Sequence, residues 1–149
     1  MIAKKGAFVV VADGGGATVY RVATRVSGVK LDDVEHLDPP RTPATAELGR
    51  DRPTRAFAPS GASRAAAETP DLHDEAERAF ARVLAGRMHV VAEQARRGMI
   101  LFAAPRFLGV LRPMMSEKTR SVMLREVPKD LRKSDLSAIE RAVDALSLG

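Results

Sequence analysis

A chain of 149 residues amounts to one ordinary domain, long enough to bury about two-thirds of the surface its unfolded form exposes. It has no cysteine, which excludes a disulfide framework, a thiolate nucleophile and a cysteine-held zinc or iron–sulfur centre. A formal charge of +5 and a pI of about 10.1 favour polyanionic partners such as nucleic acid or an anionic surface.

The first apolar run, Ala7 to Ala12, is too short for the core of an export signal or for a membrane span. No stretch of 18 apolar residues follows, so a cytoplasmic protein without a membrane span is expected. Phe8 to Ala12 reads as a buried strand. Asp13-Gly14-Gly15-Gly16 reads as a hairpin turn, since Asp-Gly and Gly-Gly supply the positive φ that tight turns need. Ala17 to Thr24 is a second strand, alternating apolar and polar residues. Ser27-Gly28 turns the chain again, and Val29 to Leu37 makes a third strand that stops at Asp38-Pro39-Pro40. Three strands joined by short turns form an antiparallel meander.

Residues 39–68 differ in kind: they are rich in Pro, Gly, Ala, Ser, Thr and Arg and keep no period. So long a connection inside one domain is expected to be functional or mobile. Arg50, Arg52 and Arg55 give it a basic centre. Thr69-Pro70-Asp71 then marks a helix start, with a capping hydroxyl, proline at the first position and acids in the first turn. Leu72, Ala76, Phe80, Val83, Leu84, Val91 and Ala95 recur at helical spacing. Arg96-Arg97-Gly98 suits the end of that helix, with cations at its negative pole and glycine at the left-handed cap.

Met99 to Ala104 is a continuous apolar run, as expected of a central strand covered on both faces. Pro105 ends its ladder because it has no N–H to donate. From there Phe107, Leu108, Leu111 and Met115 fall on one helical stripe. An abrupt strand-to-helix turn of this kind lies at the carboxyl end of a sheet, where open α/β folds tend to place ligands. A linker, a strand near Val122 to Val127, and a helix from Ser134 to Leu146 burying Leu136, Ile139, Val143 and Leu146 complete the chain. The order βββ-α-β-α-β-α suits one mixed sheet: a meander plus parallel strands reached through helical crossovers, the ribonuclease H-like arrangement.

An enzyme of that fold needs several carboxylates around two metal ions. Asp13, closing the first strand, is a weak candidate for the first ligand, with Glu75 or Glu77 as neighbours. The fourth strand ends in Ala103-Ala104-Pro105-Arg106, however, where a cation would repel the metals. His36, His73 and His89 are too scattered to share an ion. No nucleophile elbow or phosphate loop occurs. Neither a catalytic residue, a metal nor a cofactor is expected.

Five segments together resemble a known family. They are Val9-Val-Val-Ala-Asp-Gly14 with Ala17-Thr-Val-Tyr20, Glu47-Leu-Gly-Arg-Asp-Arg-Pro53, Phe80-Ala81, Ala103-Ala-Pro-Arg-Phe-Leu-Gly-Val-Leu-Arg112 and Val127-Pro-Lys-Asp-Leu131. Their order and spacing are similar to the bacterial host-attachment proteins, named for a protein required for attachment to host cells. The resemblance covers nearly the whole chain. It implies likeness to the central domain of archaeal and eukaryotic class-one release factors and of Pelota, which has a ribonuclease H-like core. Release factors act through a Gly-Gly-Gln tip. This chain has none, and its one glutamine, Gln94, belongs to the long helix.

The expected function is therefore a non-catalytic, translation-factor-like domain that binds RNA, tRNA or the ribosome. Residues 105–133 carry eight Arg or Lys against three acids. The expected phosphate contacts are Arg50, Arg52, Arg55, Arg106, Arg112, Lys118 and Arg120, since a guanidinium fork pairs well with phosphate oxygens. The alternatives are an interaction protein acting in attachment without nucleic acid, and a degenerate ribonuclease H-like hydrolase.

Overall fold

The glycine-rich turn after Asp13 sets the first pairing of the sheet. In the computed structural model, which describes residues 3–40 and 59–148, β1 (Phe8–Asp13) runs antiparallel to β2 (Gly16–Thr24) from Phe8 opposite Arg21 to Asp13 opposite Gly16. β2 pairs antiparallel with β3 (Lys30–Leu37), completing the meander. Next come α1 (Pro59–Ala92), β4 (Met99–Ala103), α2 (Pro105–Leu111), a 3-10 turn (Arg112–Met114), α3 (Glu117–Val122), β5 (Met123–Val127) and α4 (Leu136–Leu148). β4 lies parallel to β1 and β5 parallel to β4, so the five strands stand in the order β3-β2-β1-β4-β5. That is the expected mixed α/β sheet of ribonuclease H-like order.

The two central strands are apolar on both faces because both are covered. Phe8, Val10 and Ala12 with Met99, Leu101 and Ala103 meet α1 and α2, whereas Val9, Val11, Ile100 and Phe102 meet Ile139 and Val143 of α4. Phe80 of α1 stacks on Phe107 of α2 at 5.7 Å between ring centroids. Helices on both sides of the sheet leave its strand ends as the places where polar groups gather.

Several boundaries differ from expectation. α1 begins at Pro59, so Thr69 and Pro70 fall inside it rather than at its start. The run Ala62-Ser-Arg-Ala-Ala-Ala-Glu68 is a strong helix former that carries the helix upstream. Pro70 forgoes one backbone bond but does not end the helix. The connection expected over 39–68 is therefore helical from Pro59, and residues 41–58 lie outside the described ones. α3 was expected as linker. Val83, on the apolar stripe of the long helix, and Leu136, expected to be buried by the last one, are 39% and 44% exposed. Gln94 falls just past the end of α1, in the turn leading to β4.

Gly98 does hold the left-handed conformation expected of it, at φ +90°. A Cβ there would also lie 2.6 Å from Leu124 Cγ. Gly98→Ala is expected to lower stability by roughly 1–3 kcal/mol in urea denaturation, the usual range for a residue held in a disfavoured backbone region. An unchanged midpoint would show that β5 shifts freely.

Candidate functional site

The carboxyl ends of β1 and β4 open into a cleft of about 470 Å³. Its wall is the turn Asp13-Gly14-Gly15, and its other sides come from His73 and Glu77 of α1, Ala104, Arg106 and Phe107 at the start of α2, and Arg132 and Lys133 before α4. The cleft sits there because β1 and β4 are parallel neighbours whose chains leave in different directions, β1 into a hairpin and β4 into a helix. Pro105 suits the first helical position, having no N–H to leave unsatisfied.

Ion pairs set the electrostatics of the cleft. Asp13 Oδ1 accepts the Nε–H of Arg132 at 2.6 Å and the backbone N–H of Gly15 at 2.7 Å. Arg106 donates through Nη2 to Asp74 Oδ1 at 2.6 Å, and its Nε stands 3.6 Å from Glu77 Oε1. Glu77, rather than Glu75, is the helix acid that reaches the turn: a Cβ on Gly14 would meet its Oε2 at 2.7 Å. Each carboxylate of the cleft thus faces a guanidinium.

These residues do not fit a pair of metal ions. Asp13 faces Arg132 where metal chemistry in this fold calls for a second acid, and β4 ends in alanine. Among the described residues, no three acids or histidines stand together in a way that would hold a metal. Asp13 is better understood as an anchor, joining the β1–β2 turn to a loop 119 residues further along the chain.

The expected phosphate contacts divide into groups. Arg50, Arg52 and Arg55 lie outside the described residues. Arg106 belongs to the cleft. Arg112 gives its Nε–H to Glu126 at 2.8 Å, and its carbonyl accepts from Arg120 Nη2 at 2.6 Å. Arg120 also donates to the Met115 carbonyl at 3.2 Å. Lys118 is exposed on α3 and has no ion pair with the described residues. Arg112, Lys118 and Arg120 are thus neighbours on one segment, with Arg106 apart from them at the other end of α2.

A second cluster has the look of chemistry. Glu93 Oε2 lies 3.6 Å from His89 Nε2, and His89 Nδ1 lies 2.8 Å from Ser116 Oγ. Acid, imidazole and hydroxyl in that order form a hydrolase triad when the hydroxyl gives its hydrogen to the ring. Here Ser116 Oγ donates to Thr119 Oγ1 at 3.1 Å and accepts the Thr119 N–H at 3.2 Å. Ser116 is thus committed to Thr119, and the group is the N-cap of α3. Ser116→Ala is expected to cost about 1 kcal/mol in thermal unfolding, as for other caps. A loss below a few tenths would contradict that role.

Arg132 and Lys133, counted above only within the charge of 105–133, and His73, set aside as a metal ligand, are cleft residues that the sequence did not single out. Arg132 directly follows the Val127-Pro-Lys-Asp-Leu131 segment that carries part of the resemblance, and that position was the signal available. A family model described as "Protein required for attachment to host cells" matches residues 8–143. The chain belongs to this family. No curated protein matches it significantly. The matched span runs from the first residue of β1 into α4, so every cleft residue of this host-attachment family member lies within it. Among the described residues, no helix is long and apolar enough to cross a membrane.

Proposed function

We propose that this host-attachment family protein is a non-catalytic, translation-factor-like domain that binds RNA or the ribosome in the cytoplasm and needs no cofactor. The observation that carries the non-catalytic part is the Asp13–Arg132 pair at 2.6 Å, a guanidinium standing where a nuclease of this fold needs metal. Support for a polyanion comes from the overall charge of +5 and from exposed cations that have no ion pair among the described residues. The likeness to the release-factor and Pelota central domain belongs to this proposal, as do tRNA and the ribosome as partners. The hydrolase alternative has no support in the geometry of the cleft.

Gel-shift titration with tRNA tests it. Affinity is expected to fall steeply between roughly 50 and 200 mM salt, by a factor on the order of 10³ if about six phosphates are neutralised. Arg50→Glu with Arg52→Glu is expected to weaken binding further. Affinity that does not respond to salt would overturn the reading. A second reading, contact with another protein during attachment and without nucleic acid, is favoured by the family's description. Deletion of the gene that leaves translation normal but abolishes adhesion would select it.

A further inference from the structure

The two arginines of the cleft face carboxylates, whereas a larger group of exposed cations gathers elsewhere. At the opposite end of the sheet three segments meet around Gly6. Its N–H donates to the Val22 carbonyl at 2.8 Å, and the N–H of Phe8 donates to Gly98 at 3.0 Å. The Cβ position of Gly6 is 3.4 Å from Arg97 Cγ and 4.0 Å from Arg21 Nη2. Lys4 and Lys5 immediately precede Gly6, and Arg96 precedes Arg97, so five exposed cations lie on the three segments that meet here. The carboxylates beside them are Asp32, opposite Arg21 in the β2–β3 ladder, and Glu93, which lies against His89. None of the five has an ion pair among the described residues. By contrast Arg25 and Lys30, further along this end, pair with Asp144 at 3.6 Å and Glu140 at 3.9 Å.

We infer that this amino-terminal end of the sheet is the phosphate-contacting surface, and that its partner is the backbone of base-paired RNA. The inference rests on the RNA reading above and moves the contact away from the 105–133 rim. Three arginines supply planar forks for phosphate oxygens, and Arg21 is already held, its guanidinium 5.9 Å from the centre of the Phe8 ring. Base-paired RNA fits because the described phenylalanines are buried and offer no platform on which unpaired bases stack. A lipid surface asks for apolar side chains to insert beside the cations. Among the described residues at this end, Val26, 94% exposed, is the one large hydrophobic side chain that stands fully out, with Leu124 at 40%.

Fluorescence anisotropy with a labelled RNA hairpin at low salt tests the inference. It compares the wild type, Lys5→Glu/Arg97→Glu, and Lys118→Glu/Lys129→Glu on the other rim. The amino-end variant is expected to bind at least about tenfold more weakly, its salt slope reduced by about two, roughly one for each contact removed. The rim variant is expected to stay within about twofold of wild type, since its lysines do not reach the duplex. If Lys5→Glu/Arg97→Glu does not fold, Lys4→Glu/Lys5→Glu, outside every strand, replaces it. Loss only in the rim variant would overturn this surface and leave the RNA reading standing. No binding by the wild type would overturn both. Binding to a DNA duplex or to vesicles of anionic phospholipid, but not to the hairpin, would reject RNA as the partner.

Discussion

Phe107→Ala is expected to lower the free energy of unfolding by about 3–5 kcal/mol in urea denaturation, as for other buried phenylalanines cut to alanine. Phe107 is 1% exposed and stacks on Phe80, so its ring joins α1 to α2. It also lines the cleft, which would lose its floor with the ring. Against a total stability of about 5–15 kcal/mol typical of a domain, that loss takes a large share. Phe107→Leu keeps most of the volume and is expected to cost clearly less, nearer 1–1.5 kcal/mol. Equal costs for the two variants would mean that volume is not what the ring supplies.

Arg132→Ala is expected to cost about 2–3 kcal/mol, because it leaves the largely buried Asp13 carboxylate without its cation. The two side chains are 31% and 15% exposed, so solvent screening trims the effect rather than removing it. Adding Asp13→Ala is expected to cost less than the sum of the single losses, by about 0.5–3 kcal/mol, as for residues in contact. Magnesium gives the complementary test. A site occupied at a hundred times its dissociation constant would stabilise the fold by about 2.7 kcal/mol. The Asp13–Arg132 pair predicts the same melting temperature in millimolar magnesium as in chelator. Additive losses, or a clear rise with magnesium, would show that Asp13 serves something other than Arg132.

The sheet was legible in the sequence because its signals are local. Asp13-Gly14-Gly15 and Ser27-Gly28 mark the meander, and the unbroken apolar runs at 8–12 and 99–104 mark strands covered on both faces. Connection order then left few topologies. α3 was missed because six residues are too short for a periodic pattern, although Ser116 three residues before Thr119 was a cap signal. Leu136 and Val83 show that helical spacing marks a stripe wider than the face that packs.

The site was less legible because it depends on residues far apart in the chain. Arg106 and Arg112 looked like free cations. Their partners, Asp74 with Glu77 and then Glu126, come beside them only when α1 and β5 are in place. Asp13 and Arg132 meet in the same way, across nearly the whole chain. Charge counted along a segment therefore overstates what that segment offers a ligand. The cluster around Gly6 was understated for the opposite reason, since it draws on three separate segments.

Co-sedimentation of the tagged protein with ribosomal fractions tests most directly whether this protein is an inert scaffold that holds RNA. The account predicts retention at roughly 50 mM salt, release by about 200 mM, and intact RNA throughout, with or without magnesium. Absence from the ribosomal fractions at low salt, or magnesium-dependent cleavage of the RNA, would contradict it.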